Sequence, residues 1–206
     1  RYVAVTSQSN AAVKTVPTTE GQRQLAELLK NDLAELGLVD LEISEFSVLT
    51  GKLPANLPAG HHTVPTVGWV AHLDTVDVCL NADIHPHVVA NYQGGDICLN
   101  EEKQIFLKVS EHPEIEKYIG QDIVVSDGTS VLGADDKAAI ANIMVALETL
   151  ANDKTIYHGD IYVCFVPDEE IGLLGAKAID FAKFPVDFAY TIDCCEQGEV
   201  VYETFN

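Results

Sequence analysis

Positively charged residues are scarce in this sequence of 206 residues. Twelve lysines and arginines stand against 32 aspartates and glutamates, so the formal net charge at pH 7 is −20. Nucleic acids and anionic lipid surfaces are bound through patches of lysine and arginine, so the shortage argues against both partners. It does not indicate disorder, because 47% of the residues are hydrophobic, which is enough to build a core.

Long apolar runs and secretion signals are also missing. No apolar stretch approaches the 18 residues or so that a membrane-spanning helix needs, and no signal peptide opens the chain. The five cysteines are odd in number, and their spacing is not that of a small disulfide scaffold. We therefore expect a cytoplasmic protein with reduced thiols and no membrane association.

The two ends of the sequence favour a piece of a longer chain. Arg1 stands where a methionine would begin a complete protein, and Asn206 follows a strand-like run without a polar tail. The length itself predicts one domain or about one and a half.

Helical and strand-like patterns alternate along the chain. Helical spacing of apolar residues predicts helices over 18–37, 135–151 and 173–182. Strand patterns occur at 40–48, 64–73, 121–128, 160–167, 187–193 and 199–205. Several of these strands are apolar throughout, which is typical of a sheet covered on both faces. The sequence therefore predicts an α/β fold, in which ligands bind beyond the carboxyl ends of the strands.

A histidine and an aspartate follow the strand predicted at 64–73. In an extended segment His72 and Asp74 point the same way. A neutral imidazole is a good zinc ligand, and a carboxylate on the same side can orient it. A capped strand end is the plain alternative for this pair taken alone.

Two aspartates, Asp135 and Asp136, open the helix predicted at 135–151. The plain alternative is a helix N-cap, where aspartate is favoured. The glycines of 128–133 suggest a phosphate-binding loop, but that loop needs Lys and Ser or Thr directly after its second glycine. Ala134 and Asp135 follow instead, so the phosphate loop is excluded.

Three consecutive carboxylates, Asp168, Glu169 and Glu170, follow the strand at 160–167. They repel one another unless water or a cation offsets their charge. In a metal site, adjacent glutamates can divide the work, one binding the metal and the other acting as a general base. A solvated acidic turn is the alternative.

A further carboxylate ends the strand at 187–193. Cys194 and Cys195 follow Asp193, and we interpret them as small buried thiols, because hard carboxylates dominate the other candidates. The candidates come from separate strand ends and helix starts, which converge in an α/β sheet: His72, Asp74, Asp135, Glu169, Glu170 and Asp193. One histidine with several carboxylates suits a two-zinc hydrolase, with an aspartate bridging the ions and a glutamate deprotonating water.

Four motifs carry a resemblance to a known family: AHLDT at 71–75, LGADDKAAIA at 132–141, PDEEIG at 167–172 and YTID at 190–193. In this order they resemble the co-catalytic zinc exopeptidases related to carboxypeptidase G and aminoacylase. Within that family the chain is similar to the tripeptide aminopeptidases (peptidase T), and the flanking words VPTTEGQ, LPAN, NYQGGDI and HGDI agree. The resemblance implies a three-layer α-β-α catalytic domain, a mixed sheet with helices on both faces.

The same resemblance implies a set of zinc ligands. His72 and Asp193 would bind the first of two zinc ions, Glu170 would bind the second, and Asp135 would bridge both.

The implied catalytic residues are Asp74, which would orient the histidine ligand, and Glu169, which would be the general base. The implied reaction is the cytoplasmic release of the N-terminal residue from a tripeptide.

Two departures from the family predict that this piece is inactive alone. Residues 1–206 correspond to the N-terminal part of the catalytic domain, without the lid domain, which often dimerises, and without a returning segment that carries a final histidine ligand. We therefore expect an incomplete second zinc site here and a homodimer for the full-length protein. The remaining histidines match no ligand position: His61, His62, His85, His87, His112 and His158. Second, Cys194 and Cys195 stand where relatives usually have glycine.

Three alternatives stay open at this point. A related zinc dipeptidase or N-acyl amino acid hydrolase would share these residues, since the lid decides the substrate. A non-catalytic fragment could keep the fold, although the presence of both Asp74 and Glu169 argues for retained chemistry. A magnesium-dependent phosphoryl-transfer enzyme also uses carboxylates, but His72 as a ligand and the missing phosphate loop argue against it.

Overall fold

A computed structural model describes residues 1–58, 60, 64–193 and 198–201 of the chain. Its strands, in chain order, are β1 (Val39–Ile43), β2 (Leu49–Leu53), β3 (Val67–His72), β4 (His87–Val89), β5 (Ile97–Asn100), β6 (Ile105–Leu107), β7 (Ile123–Val125), β8 (Ile161–Val166) and β9 (Phe188–Thr191). Its α-helices are α1 (Glu20–Glu35) and α2 (Ala134–Asn152), and short 3-10 helices occur at Tyr2–Ala4, Pro113–Tyr118 and Ala176–Ala178.

Five strands form a mixed sheet in the order β1-β2-β8-β3-β9. The β3 strand runs parallel to both β8 and β9, while β2 is antiparallel to β1 and β8. The carboxyl ends of the three parallel strands therefore lie at one edge of the sheet, as the sequence predicted. The α/β class and the mixed sheet are confirmed.

Alternate residues of β8 face opposite sides of the sheet and are buried on both, which explains its continuous apolar run. Val163 and Phe165 lie in the main core, whereas Cys164 and Val166 lie in a second cluster with Phe184. Both α-helices pack into the main core through apolar stripes: Leu25, Leu29 and Leu33 of α1, and Ile140, Ile143 and Leu147 of α2.

The second face of the sheet is covered by the segment that contains the 3-10 helix Ala176–Ala178. The helix predicted over 173–182 is wrong in length, because left-handed backbone at Leu173, with a φ of 60°, precedes the 3-10 helix Ala176–Ala178 and extended backbone at Ile179 ends it. The backbone N–H groups of Leu174 and Gly175 donate to the carbonyls of Asp168 and Pro167, which ties the segment to the end of β8.

Five of the predicted strands appear as β1, β3, β7, β8 and β9, each with shorter bounds, whereas β2, β4, β5 and β6 were not predicted. The helices predicted at 18–37 and 135–151 appear as α1 and α2. The strand β2 was not predicted, because Gly51 and Lys52 interrupt its apolar pattern. The strand predicted at 199–205 falls mostly outside the described residues, and those described at 198–201 do not form a strand.

A smaller unit lies between β3 and α2 in the sequence. It consists of the antiparallel pairs β4–β7 and β5–β6, both of which contribute to a core around Tyr92, Ile97 and Ile115. Among the described residues, no helix has the length and apolar character that crossing a lipid bilayer requires.

Candidate metal centre

The last residue of β3, His72, is held rigidly with one ring nitrogen directed towards acidic groups. Its backbone N–H donates to Oδ2 of Asp136 over 3.0 Å, and its Nδ1 lies 3.0 Å from the carbonyl oxygen of Asp74. The side chain is only 2% exposed. With a proton on Nδ1 donated to that carbonyl, Nε2 is left free to bind a cation.

Three carboxylates from separate elements approach Nε2 of His72. Oδ1 of Asp135, in the first turn of α2, lies 2.9 Å away. Oδ2 of Asp193, two residues after β9, lies 3.9 Å away, and Oε2 of Glu169, after β8, lies 4.0 Å away. The predicted convergence of strand ends and a helix start is therefore present.

The fully buried carboxylate of Asp74 joins two of these strand ends. Its Oδ1 accepts the backbone N–H of Glu169 over 2.8 Å, and its Oδ2 accepts that of Glu170 over 3.2 Å. Burial alone would raise the pKa of Asp74, but the hydrogen bonds from His72 and from the Glu169 backbone outweigh it and lower the pKa. Asp74 therefore holds the glutamate loop as well as lying beside the histidine.

The two aspartates that open α2 do not cap it. The N-cap is Gly133, with a left-handed φ of 68°, and no side chain caps the helix. Asp135 and Asp136 have non-helical backbone angles. The side chain of Asp135 is 68% exposed and reaches His72, whereas Asp136 is buried. The N-cap alternative is therefore wrong for both aspartates.

Sequence reasoning gave Asp136 no defined role, although the structure places it in the cluster. Within the described residues, two groups have potential ligand atoms within 4.8 Å of one another: His72, Asp136 and Asp193, and His72, Glu169 and Glu170. Asp135 belongs to neither group, although its carboxylate is the one nearest to the imidazole. The signal available in the sequence was the second aspartate of the pair, for which a helix N-cap was the favoured interpretation.

The site carries an excess of negative charge that its one histidine does not balance. Burial and neighbouring carboxylates raise the pKa values of Glu169, Glu170 and Asp193. Burial, partly offset by His72, also raises the pKa of Asp136 to about 8. Burial is the largest cause of each shift and repulsion between carboxylates adds to it, and a bound cation would favour the charged forms.

The excess of negative charge also shifts the pKa of the histidine. Burial alone would lower the pKa of His72, but the hydrogen bond and charge of Asp74 and the charges of Asp136 and Asp193 raise it to about 10. In the described part of the chain, no lysine or arginine lies within 4.0 Å of the carboxylates of Asp135, Asp136, Glu169, Glu170 or Asp193. One imidazole nitrogen and several carboxylate oxygens form a donor set that fits zinc.

Comparison with known proteins identifies the family. A family model described as M42 glutamyl aminopeptidase matches residues 100–203, just over half of the chain. A peptidase T-like protein of Yersinia pestis is 56% identical over 206 residues, and peptidase T of Clostridium novyi is 45% identical over 206 residues. The chain belongs to the family of that model, M42 glutamyl aminopeptidase, and the relatives it matches over its whole length are named peptidase T or peptidase T-like. The resemblance to peptidase T is confirmed.

The structure of a peptidase T agrees with this assignment. The aminopeptidase PepT from Bacillus cereus superposes with a TM-score of 0.64 at 27% identity, over 94% of this chain and 41% of that one. The chain covers 48% of the Yersinia pestis relative and 50% of the Clostridium novyi relative. It therefore spans about half the length of the curated relatives it matches.

Several sequence interpretations concern residues outside the cluster around His72. Neither potential ligand group contains His85, His87, His112 or His158. His112 lies 3.2 Å from an oxygen of Glu114 in an exposed pair. The predictions for Cys194, Cys195, His61 and His62 lie outside the described residues.

Proposed function

We propose that the full-length protein is a zinc-dependent aminopeptidase that releases the N-terminal residue from tripeptides. The observation that carries the proposal is the position of Nε2 of His72, within 4.0 Å of carboxylate oxygens of Asp135, Glu169 and Asp193. The match to the M42 glutamyl aminopeptidase family model and the similarity to proteins named peptidase T support the reaction class.

In this proposal the acidic cluster holds two zinc ions. His72 and Asp193 would hold the first, Glu170 would hold the second, and the exposed carboxylate of Asp135 would contribute to both. The buried Asp136 fixes the backbone of the histidine ligand and adds negative charge. Bound zinc would supply Lewis-acid activation of water and of the scissile carbonyl.

Glu169 is the general base of the proposed reaction. Its carboxylate is partly exposed and lies 4.0 Å from Nε2 of His72, so it borders the space in which water and substrate would meet. Burial raises its pKa, which brings it closer to the range in which a carboxylate accepts and returns a proton. Glu169 takes the proton from the attacking water and passes it to the leaving amine, while Asp74 holds its backbone.

Residues 1–206 form, in this proposal, the N-terminal part of the catalytic domain of a cytoplasmic enzyme. The chain has about half the length of the curated relatives, which supports a longer full-length protein. In that protein further residues complete the second zinc site, and a lid domain helps to form a dimer. Three described cysteines, Cys79, Cys98 and Cys164, are all unpaired, which agrees with a reducing compartment.

The test is hydrolysis by the full-length protein that contains this chain, with zinc content measured on the same sample. We expect turnover of Ala-Ala-Ala, with little activity on dipeptides or acetyl amino acids. Glu169→Gln should lower kcat by about 10²–10⁴-fold while zinc stays bound, because only the proton transfer is removed. Glu148→Gln, on the exposed side of α2, is the matched control.

Three results would contradict the proposal. Preferred cleavage of dipeptides or acetyl amino acids would assign the chain to a related hydrolase. A zinc-loaded protein that cleaves none of these substrates would refute the peptidase function. Normal turnover by Glu169→Gln would refute the general base.

A further inference from the structure

A second buried carboxylate, that of Asp168, lies directly before the two glutamates and has no part in the proposed chemistry. Its side chain is fully buried. Oδ2 accepts the backbone N–H of Thr18 over 2.8 Å. Oδ1 accepts the hydroxyl of Thr18 over 2.5 Å and the side-chain amide of Gln22 over 2.7 Å. The backbone N–H of Asp168 in turn donates to Oε1 of Gln22 over 2.8 Å.

These contacts connect the end of β8 to the start of α1, across about 150 residues of sequence. Gln22 is fully buried in the first turn of the helix, and Thr18 lies just before it. Neither side chain caps α1 in the usual way, since no side-chain hydrogen bond caps the N-terminus. Both side chains are used instead to satisfy the carboxylate of Asp168.

The backbone at this point makes an abrupt turn. Asp168 has a φ of 54°, in the left-handed region that residues other than glycine seldom adopt. Its carbonyl accepts the N–H of Leu174, which closes the loop behind the glutamates. An unfavourable turn of this kind persists only where surrounding contacts hold it.

The glutamates are therefore held from two sides. Asp74, beyond β3, accepts the backbone N–H groups of Glu169 and Glu170, and Asp168, the residue before them, is itself bonded to the start of α1. Catalytic groups must be held within a fraction of an ångström of their working position, and buried hydrogen bonds behind them supply this order.

We propose that Asp168 is a positioning residue that, through Thr18 and Gln22, fixes Glu169 and Glu170 in the metal centre. The inference rests on the proposed function for the roles of the two glutamates, but its structural part can be measured by zinc binding alone.

The test exchanges the acid and the amide of the buried pair. Asp168→Asn tolerates the same backbone turn, but places an amide where Thr18 and Gln22 donate. Gln22→Glu removes a donor and sets two carboxylates face to face. In the double variant D168N/Q22E, the asparagine amide can donate to the new glutamate, whose other oxygen still accepts the N–H of residue 168. The total charge is then the same as in the native protein.

The three variants are compared in the full-length protein by kcat, KM and zinc affinity in chelator competition. We expect each single variant to lose about tenfold to a hundredfold in kcat and in affinity for the weaker-bound zinc, with a smaller change in KM. The double variant should recover most of both losses. The control is Asp32→Asn, which should change neither quantity. Asp32 lies in α1, and its largely buried carboxylate accepts hydrogen bonds from Arg1 and Tyr2.

Two outcomes would overturn the proposal. In the first, single variants that fold keep native kcat and zinc affinity, even if their melting temperature falls, which would make the contact purely structural. In the second, the double variant is as impaired as the singles. If the native protein binds zinc but cleaves no peptide, the proposed function fails, while the zinc affinities still decide the role of Asp168.

Discussion

At the scale of single residues, Asp74 shows where sequence reasoning stops. The spacing His-x-Asp predicted a carboxylate beside the imidazole, and the structure places its Oδ1 3.3 Å from Nδ1 of His72. The same carboxylate also accepts two backbone N–H groups from Glu169 and Glu170, 95 and 96 residues away. Such contacts depend on the fold alone, because every residue other than proline offers an N–H.

Asp74→Asn tests this double role. An amide can accept only through its one oxygen, so one of the two loop N–H groups would face a second donor in a fully buried place. We expect a loss of about 1–3 kcal/mol in the free energy of unfolding, measured by urea denaturation of this chain. Asp77→Asn, an exposed carboxylate that accepts from Gln8 and Cys79, is the control. Equal stability of the Asp74 variant and the native chain would show that these hydrogen bonds contribute little to the free energy of unfolding.

The individual metal candidates were predictable to different degrees. The convergence of strand ends predicted that His72, Glu169, Glu170 and Asp193 lie close together, and the structure brings them together. Asp136 was not assigned, because its contribution depends on burial and on a bond to the backbone of His72, neither of which a sequence pattern displays.

At the scale of elements, the sequence predicts a helix or strand best where one face of it is apolar and recognisable residues mark its ends. The helix α1 carries leucines at helical spacing and appears nearly as predicted. The segment after β8 has a helical composition, yet left-handed backbone at Leu173 and extended backbone at Ile179 limit it to a 3-10 helix, so tertiary context overrides local preference. The strand β2 has weak local signals, and its pairing with β8 in the sheet gives it its structure.

The packing of α1 against the N-terminal segment gives a prediction for Gly21. Replacing a helical glycine by alanine ordinarily stabilises a helix by about 0.5–1 kcal/mol. Here a Cβ would overlap the carbonyl oxygen of Thr6, which is backbone and cannot rotate away. We therefore expect Gly21→Ala to destabilise the chain by about 1–3 kcal/mol in urea denaturation.

The control for Gly21→Ala is Asn31→Ala, at an exposed position of the same helix, which should be neutral or slightly stabilising. An alanine at position 21 that stabilises the chain as much as helix propensity alone predicts would mean that α1 does not approach Thr6 this closely.

At the scale of the whole molecule, the charge of −20 divides into two parts. Most of the 32 acidic residues lie outside the metal centre and are interpreted as a solvated surface that favours solubility. The few that surround His72 are different, because burial and mutual repulsion raise the pKa values of several of them. The composition excludes classes of partner, while the position of these few carboxylates at strand ends predicts the chemistry.

Zinc should therefore stabilise this chain even without peptide hydrolysis. A ligand at about 100 times its dissociation constant adds about 2.7 kcal/mol to the free energy of unfolding, or several degrees in Tm for a domain of this size. We expect such a rise with zinc, its reversal by chelator, little effect of magnesium, and about one tightly held zinc per chain. His72→Gln should abolish the rise and His158→Gln, which changes an imidazole bonded to the carbonyl of Gly159, should preserve it. An equal rise in both variants would mean that zinc binds elsewhere. Two tightly held zinc ions, together with normal tripeptide turnover by this chain, would refute the prediction that its second zinc site is incomplete.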